Sequence, residues 1–108
     1  MLNAVLSWFL QKRISQIDRF KNEPFEVQNA LLLKLLSEAR NTEWGRAYDY
    51  GSIHNYQTYS ERVPLQSYED IKPYVDRMLK GENKLLWPGE IRWFAKSSGT
   101  TSDKSKYI

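Results

Sequence analysis

The stretch NEPFEVQNALLLKLLSEARN, residues 22–41, decides the fold class of this chain. Pro24 suits the first turn of a helix, where its missing N–H would be unpaired anyway, and Asn22 can cap that turn. Mostly apolar residues then recur at three- and four-residue spacing, which places them on one helix face. The run at 31–33 widens this face and predicts burial on two sides. The face consists of Phe25, Gln28, Leu32, Leu35, Leu36 and Ala39.

A second helical pattern precedes this stretch and makes the first 40 residues helical. Its apolar residues also repeat every three or four positions, so they line one face. We expect this face to pack on the protein's own core. Because Lys12 and Arg13 stand beside Trp8 and Phe9, a helix on a membrane surface is the alternative. The repeat is formed by Leu2, Leu6, Phe9, Arg13 or Ile14, Ile17 and Phe20.

Shorter units follow from Thr42 onward. Asp70 is a plausible N-cap for a helix that runs to Lys80, because Pro73 would then fall in its first turn, and Gly81 would cap its C-terminus. Residues 87–90 read as a turn, and the branched and aromatic residues of 91–95 and 105–108 predict strands. The predicted fold is mainly α with a terminal β-strand, loop and β-strand.

Composition limits the possible functions. The 108 residues are 41% hydrophobic and 27% charged, which is typical of one globular domain, and the net charge of +3 favours anionic partners only weakly. The absence of cysteine excludes disulfides and thiolate sites and fits a reducing compartment. No run approaches the ~20 apolar residues of a membrane span. We therefore expect a soluble, cytoplasmic protein without a membrane partner.

Nucleic-acid binding and metal chemistry are not expected either. Trp87, Trp93 and Phe94 could stack on bases, but without a basic stripe we expect them to be buried around the first predicted strand. His54 is the only histidine, so no histidine metal cluster can form. We predict no metal ligands and no catalytic side chains within this chain.

The sequence SSGTT at 97–101 is the strongest candidate for a binding site. A phosphate needs several hydrogen-bond donors around one small volume and a cation nearby. This loop offers hydroxyl groups and the backbone N–H groups around a glycine, with lysines at 96, 104 and 106. It is not a Walker A loop, because it lacks the G-x-x-x-x-G-K-[ST] pattern. By composition alone, such a loop is more often a surface turn, so the order of its residues has to decide.

That order resembles the phosphate-gripping loop of the adenylate-forming superfamily, which includes acyl-CoA synthetases and luciferases. Upstream segments narrow the resemblance to the auxin-responsive family of acyl-acid amido synthetases, which in plants join hormone acids to amino acids. It extends over residues 42–108. The segments that carry it are TEWGRAYDY (42–50), VPLQSYEDIKPYVDRMLKGE (63–82), LLWPGEIRWFAKSSGTT (85–101) and KSKYI (104–108).

The resemblance implies a two-step ligase reaction. A carboxylic acid would attack the α-phosphate of Mg-ATP to give an acyl-adenylate, and an amine, usually an amino acid, would then displace AMP. The cofactors implied are ATP and Mg. Carried over to this sequence, the cradle for the β- and γ-phosphates is Ser97, Ser98, Gly99, Thr100 and Thr101, with Lys106 as its cation.

Family members are several times longer, so the resemblance identifies this chain as an N-terminal fragment of a larger α/β enzyme. Residues 1–86 would be a helical N-terminal region, and 87–108 the first strands and phosphate loop of an incomplete nucleotide-binding domain. We expect the chain alone to be inactive and to bind ATP no better than about millimolar. It should either self-associate through uncovered strand edges or be disordered from about Lys96. The alternative is a self-contained helical interaction module without catalytic activity.

Overall fold

The computed structural model describes residues 1–99 and 104–108 and is mainly helical in those parts, as the sequence predicts. A 3-10 turn, Tyr50–Ser52, separates the third helix from the fourth. None of the described helices is both long enough and apolar enough to cross a membrane. The five α-helices are α1 (Leu2–Asn22), α2 (Pro24–Ala39), α3 (Glu43–Ala47), α4 (Tyr56–Arg62) and α5 (Tyr68–Leu79).

Helix α1 confirms the predicted helix but not its predicted packing. None of its residues is buried, and its apolar face stays in water, with Leu6 55% and Phe9 51% exposed. The radius of gyration is 18.4 Å, well above the roughly 13 Å of a compact chain of this length. Packing of α1 on the core of the described residues is therefore a wrong prediction.

The core lies where the C-terminal end of α2 meets α3 and the 3-10 turn. Thr42, which is fully buried, links these elements, because its hydroxyl donates to the Ala39 carbonyl (2.7 Å) and accepts from the Gly45 N–H (3.0 Å). One side chain thus closes the end of α2 and caps the start of α3. Predicted two-sided burial at 31–33 is wrong, since Leu31 is 52% exposed. The buried apolar residues are Leu36, Ala39, Ile53, Val75 and Leu85.

Helix α2 begins as expected with Pro24 in its first turn, but Asn22 does not cap it. Asn22 is the last residue of α1, and Glu23 occupies the N-cap position of α2, where its side chain accepts from Arg19 and does not cap the helix. Because proline contributes no N–H, one fewer donor needs a cap at this end. Only Glu23 separates the two helices.

Helix α5 starts three residues earlier than predicted. Ser67 is its N-cap, and Asp70 is its third residue, whose carboxylate accepts from the Ser67 N–H (2.9 Å) and hydroxyl (2.8 Å). Pro73 therefore lies inside the helix and not in its first turn. Pro73 and Glu69 are exposed, so water can reach the Glu69 carbonyl that the missing N–H leaves unbonded.

The end of α5 confirms the predicted glycine cap. Gly81 adopts φ +95°, which only glycine enters freely, and its N–H donates to the Met78 carbonyl. The next N–H, from Glu82, donates to the Arg77 carbonyl at 3.1 Å. These two bonds form a Schellman motif, which ends the helix at Leu79 and turns the chain toward the predicted loop.

The Asp70 cap predicts a loss of stability in acid. Hydrogen bonds from the Ser67 backbone and hydroxyl lower the pKa of Asp70 below its ordinary value of 3.8. The ionised carboxylate therefore stabilises the fold fully above that value, and its contribution disappears as the pH falls through the lowered pKa. We expect Asp70→Ala to unfold more easily than the unchanged chain near neutral pH, with a difference that shrinks below about pH 4.

Urea unfolding of the chain and of Asp70→Ala, followed by circular dichroism between about pH 6 and about pH 3, measures this difference. Asp70→Asn is the control, because its amide oxygen can still accept hydrogen bonds but carries no titrating charge. A difference that stays constant over this pH range would contradict the assigned role of the carboxylate.

The predicted terminal strands are not formed in the described residues. In their place is one isolated antiparallel bridge between Lys96 and Tyr107. Trp93, which was expected to be buried, is 90% exposed, whereas Trp87 and Phe94 are half-buried. A pair of segments gains little from its own ladder without a further strand or helix to cover it, so only the residues nearest the loop pair.

Candidate functional site

The candidate site lies where residues 95–97 pair with residues 106–108. Ala95 and Ile108 exchange two backbone hydrogen bonds (Ala95 N–H to Ile108 O, 3.2 Å; Ile108 N–H to Ala95 O, 2.8 Å), and the Ser97 N–H donates to the Lys106 carbonyl (2.8 Å). These bonds bring the two ends of the predicted phosphate loop together. Ser97 and Lys106, two of the predicted site residues, therefore lie side by side at its base.

The Ser97 side chain closes this pairing in an unusual way. In a regular antiparallel ladder the Lys106 N–H would donate to the Ser97 carbonyl, but here it donates to the Ser97 hydroxyl at 2.9 Å. The hydroxyl oxygen accepts this bond and keeps its own proton for another partner. We call this pair of bonds between residues 97 and 106 the clasp, because it joins the loop's two ends.

Beyond the clasp, the other predicted site residues divide into two groups. Ser98 and Gly99 are exposed, so the Ser98 hydroxyl and the Gly99 backbone face solvent, as a ligand site requires. Thr100 and Thr101 lie outside the described residues. The structure thus brings Ser97 and Lys106 together and leaves the cradle itself a prediction.

Two lysines of this region lie over tyrosine rings. The Lys96 Nζ atom is 5.5 Å from the centre of the Tyr107 ring, and the Lys106 Nζ atom is 5.1 Å from the centre of the Tyr68 ring. The Tyr68 hydroxyl also donates to the Tyr107 carbonyl at 2.9 Å. Tyr68 belongs to the first turn of α5, and sequence reasoning missed it because nothing in its local pattern points to a lysine 38 residues away.

A network around Arg77 fixes the segment before the loop to the helices. The Arg77 guanidinium contacts the Glu43 and Glu82 carboxylates, and these partners, Glu43 first, raise its pKa above the ordinary value. The Glu43 and Trp44 N–H groups at the start of α3 donate to the carbonyls of Lys84 and Leu85, both at 2.9 Å. The chain that leads to the loop is therefore held by α3 and α5 together.

An aromatic cleft of about 680 Å³ lies between α4 and α5. Tyr50 lines this cleft, and its pKa is raised above the ordinary value mainly because its side chain is partly buried. The lining residues are uncharged, so this cleft lacks the cation that a phosphate needs. They are Trp44, Tyr50, Tyr56, Tyr59, Ser60, Val63, Pro64, Leu65, Gln66, Ile71 and Leu86.

Comparison with known proteins bears on the resemblance. The model of the GH3 family N-terminal domain matches residues 13–108. Indole-3-acetic acid-amido synthetase GH3.2 of Arabidopsis thaliana is 30% identical over 109 residues, which cover 100% of this chain and 20% of that protein. Jasmonoyl-L-amino acid synthetase GH3.3 of Oryza sativa subsp. japonica is 30% identical over 96 residues, or 88% of this chain and 21% of the relative.

A third relative is more distant in sequence but matches a similar share of the chain. Jasmonoyl-L-amino acid synthetase JAR6 of Nicotiana attenuata is 26% identical over 99 residues, which cover 91% of this chain and 17% of that protein. The chain thus spans about a fifth of the length of the curated relatives it matches. No solved structure matches the chain. Since the family model covers most of the sequence, the chain belongs to the GH3 family, in the region of its N-terminal domain.

Proposed function

We propose that this chain is the N-terminal part of an ATP-dependent acyl-acid amido synthetase. The whole enzyme would adenylate a carboxylic acid with release of pyrophosphate, and then transfer the acyl group to an amine, usually an amino acid, with release of AMP. The names of the relatives, which are amido and amino acid synthetases, support this reaction class. The clasp between Ser97 and Lys106 is the structural observation that carries the proposal, because it brings a hydroxyl and a cation to the ends of one loop.

The chemistry of the loop residues fits the phosphates of ATP. Ser98 and Gly99 present a hydroxyl and a backbone N–H to solvent, and Lys106 supplies positive charge at the base of the loop. Thr100 and Thr101 would complete the set of donors. Their role would be to hold the β- and γ-phosphates and to stabilise the charge that builds up on the departing pyrophosphate. Mg²⁺ would arrive with ATP and offset part of the same charge.

We propose that two parts of the chain have different roles. Residues 1–86 would form a helical N-terminal region, and residues 87–108 would enter the α/β nucleotide-binding domain of the longer protein. There the short pairing at 95–97 and 106–108 would gain neighbouring strands and extend into a sheet. The acid and amine pockets would lie in other parts of the enzyme, so this chain would contribute to phosphate binding and would be inactive alone.

The experiment that tests this function is acid-dependent exchange of labelled pyrophosphate into ATP by the longer protein that carries this chain. A panel of aryl and aliphatic carboxylic acids would be screened without amine, and active acids would then be tested for amide formation with amino acids. Exchange that depends on one acid, followed by an amide product, would support the proposal. Absence of exchange with every acid, in a protein shown to be folded, would refute it.

The exposed face of α1 supports the alternative, a helical interaction module. Apolar patches of this kind are uncommon on soluble monomers, because they favour association with another apolar surface. We therefore expect the 108-residue chain to self-associate at micromolar concentrations, and we expect Leu6→Glu together with Ile17→Glu to weaken this. Both residues are 55% exposed on the face that includes Phe9 and Phe20.

Light scattering coupled to size-exclusion chromatography measures this association. Gln11→Glu together with Ser15→Glu, on the opposite side of α1, is the matched control, because it adds the same two charges outside the apolar face. A mass of 12.8 kDa for the unchanged chain at every concentration would disprove self-association. A large assembly that the double substitution leaves intact would show that another surface, such as the exposed Trp93, carries it.

A further inference from the structure

We infer that Tyr68 is a positioning residue for Lys106, an inference that rests on the proposed phosphate site. Its ring lies beneath the Lys106 ammonium, 5.1 Å from Nζ to the ring centre, and its hydroxyl donates to the Tyr107 carbonyl at 2.9 Å. One side chain of α5 therefore contacts both the side chain of the predicted cation and the backbone that follows it.

The first step of the argument concerns the freedom of a lysine side chain. Four rotatable bonds let an exposed ammonium occupy many positions, and fixing it on a bound phosphate costs side-chain entropy. A tyrosine face attracts the ammonium through its quadrupole and restricts it before the ligand arrives. Lys106 is half-buried, unlike the exposed Lys104 of the same segment, as expected for a lysine whose stem lies against a ring.

The second step concerns the helix that carries Tyr68. Tyr68 is the first residue of α5, where the Ser67–Asp70 cap fixes the backbone. At the other end of α5, Arg77 joins Glu43 of α3 and Glu82 of the segment that leads to the loop. Both contacts of Tyr68 therefore originate from a helix that is held at its two ends. The ring is a fixed surface and Lys106 is the part that adjusts.

The third step separates the hydroxyl from the ring. Tyr68→Phe keeps the ring under Lys106 and removes only the bond to the Tyr107 carbonyl, whereas Tyr68→Leu removes both contacts. If the ring positions the cation, we expect Tyr68→Leu to raise the KM for ATP about fivefold, with little change in the KM for the acid, because an exposed cation–π contact has that magnitude. Tyr68→Phe should remain within about twofold of the unchanged enzyme.

The decisive measurement is a double-mutant cycle with Lys106→Met in the pyrophosphate-exchange assay of the longer protein. Once the ammonium is gone, the ring has nothing to position, so Tyr68→Leu should have no further effect on the KM for ATP. Tyr74→Leu is the matched control. Tyr74 lies on the same helix and packs edge-on against Trp44 at 5.4 Å, so its loss should affect stability and combine additively with Lys106→Met.

A spectroscopic measurement on the 108-residue chain tests the geometry without any activity. Because the end of the Lys106 side chain lies over the Tyr68 ring, the ring current should shift its Hε resonances upfield. This shift should persist in Tyr68→Phe and disappear in Tyr68→Leu, with circular dichroism reporting whether each variant is folded. Because Tyr68→Phe removes only one oxygen atom, an unshifted Lys106 in this folded variant and in the unchanged chain would overturn the proposal even if Tyr68→Leu does not fold.

The outcomes separate this inference from the proposed function. An effect of Tyr68→Leu that vanishes in the Lys106→Met background supports positioning. An additive effect, or no effect of Tyr68→Leu when Lys106→Met itself raises the KM for ATP, overturns positioning and leaves the phosphate loop in place. Full exchange activity in both Lys106→Met and Ser98→Ala would refute the phosphate loop, and the positioning role with it.

Discussion

Replacing Gly45 with alanine is expected to lower the free energy of unfolding by about 3 kcal/mol, a large part of the total stability of a small domain. Gly45 is buried at the start of α3, and an added Cβ would fall far inside van der Waals contact of the Ala39 carbonyl oxygen. That oxygen also accepts from the Thr42 hydroxyl, so neither it nor α3 can move without breaking the Thr42 cap.

The sign of this effect is diagnostic. Alanine is the better helix former by about 1 kcal/mol, so the substitution would stabilise α3 if only intrinsic propensity mattered. Gly51→Ala is the matched control, because a Cβ there meets nothing within 4 Å. We expect that control to be neutral or to stabilise the fold by up to about 1 kcal/mol. Urea unfolding compares the two variants, and equal stability would contradict the close approach of α3 to Ala39.

Local signals predicted the helix ends best. Pro24 and Gly81 were assigned correctly, because a missing N–H and a positive φ are requirements of single residues. The predicted start of α5 at Asp70 is wrong because it places Pro73 in the first turn, whereas the structure has Pro73 inside the helix. The sequence SYED, residues 67–70, carries the correct signal, since a serine followed three residues later by an acid is the pattern of a reciprocal cap.

Long-range contacts could not be predicted from the sequence. Periodicity identified an apolar face on α1, but it does not state what covers a face, and in the described residues nothing covers that of α1. In the same way, the order of residues identifies the loop but not its contacts. The bond from the Lys106 N–H to the Ser97 hydroxyl, and the contact between Tyr68 and Lys106, form only when distant segments meet. Family membership likewise rests on a match that extends over residues 13–108 and not on any single element.

Ser98→Ala is expected to reduce acid-dependent pyrophosphate exchange of the longer protein by roughly 10- to 1,000-fold, the usual effect of losing one preorganised donor. Ser98 is exposed next to the clasp, so its hydroxyl can reach a bound phosphate, and its removal leaves the Ser97–Lys106 bonds intact. Because negative charge builds up on the departing pyrophosphate as its bond to the α-phosphate breaks, the hydroxyl stabilises the transition state more than bound ATP, so the rate should fall while binding of the acid hardly changes.

Ser105→Ala is the matched control, since this exposed serine belongs to the same segment but not to the predicted cradle. It should keep normal exchange activity.

Thr100→Ala, at a residue outside the described part of the chain, is expected to behave like Ser98→Ala if both hydroxyls face the phosphates. The rate of exchange is measured at saturating acid and ATP, and acid binding is measured by calorimetry. The two measurements separate a loss of rate from a loss of acid binding. Full activity in both the Ser98 and the Thr100 variants would show that the phosphates bind elsewhere, and a loss in Ser105→Ala of equal size would show that the loop acts through its fold and not through these donors.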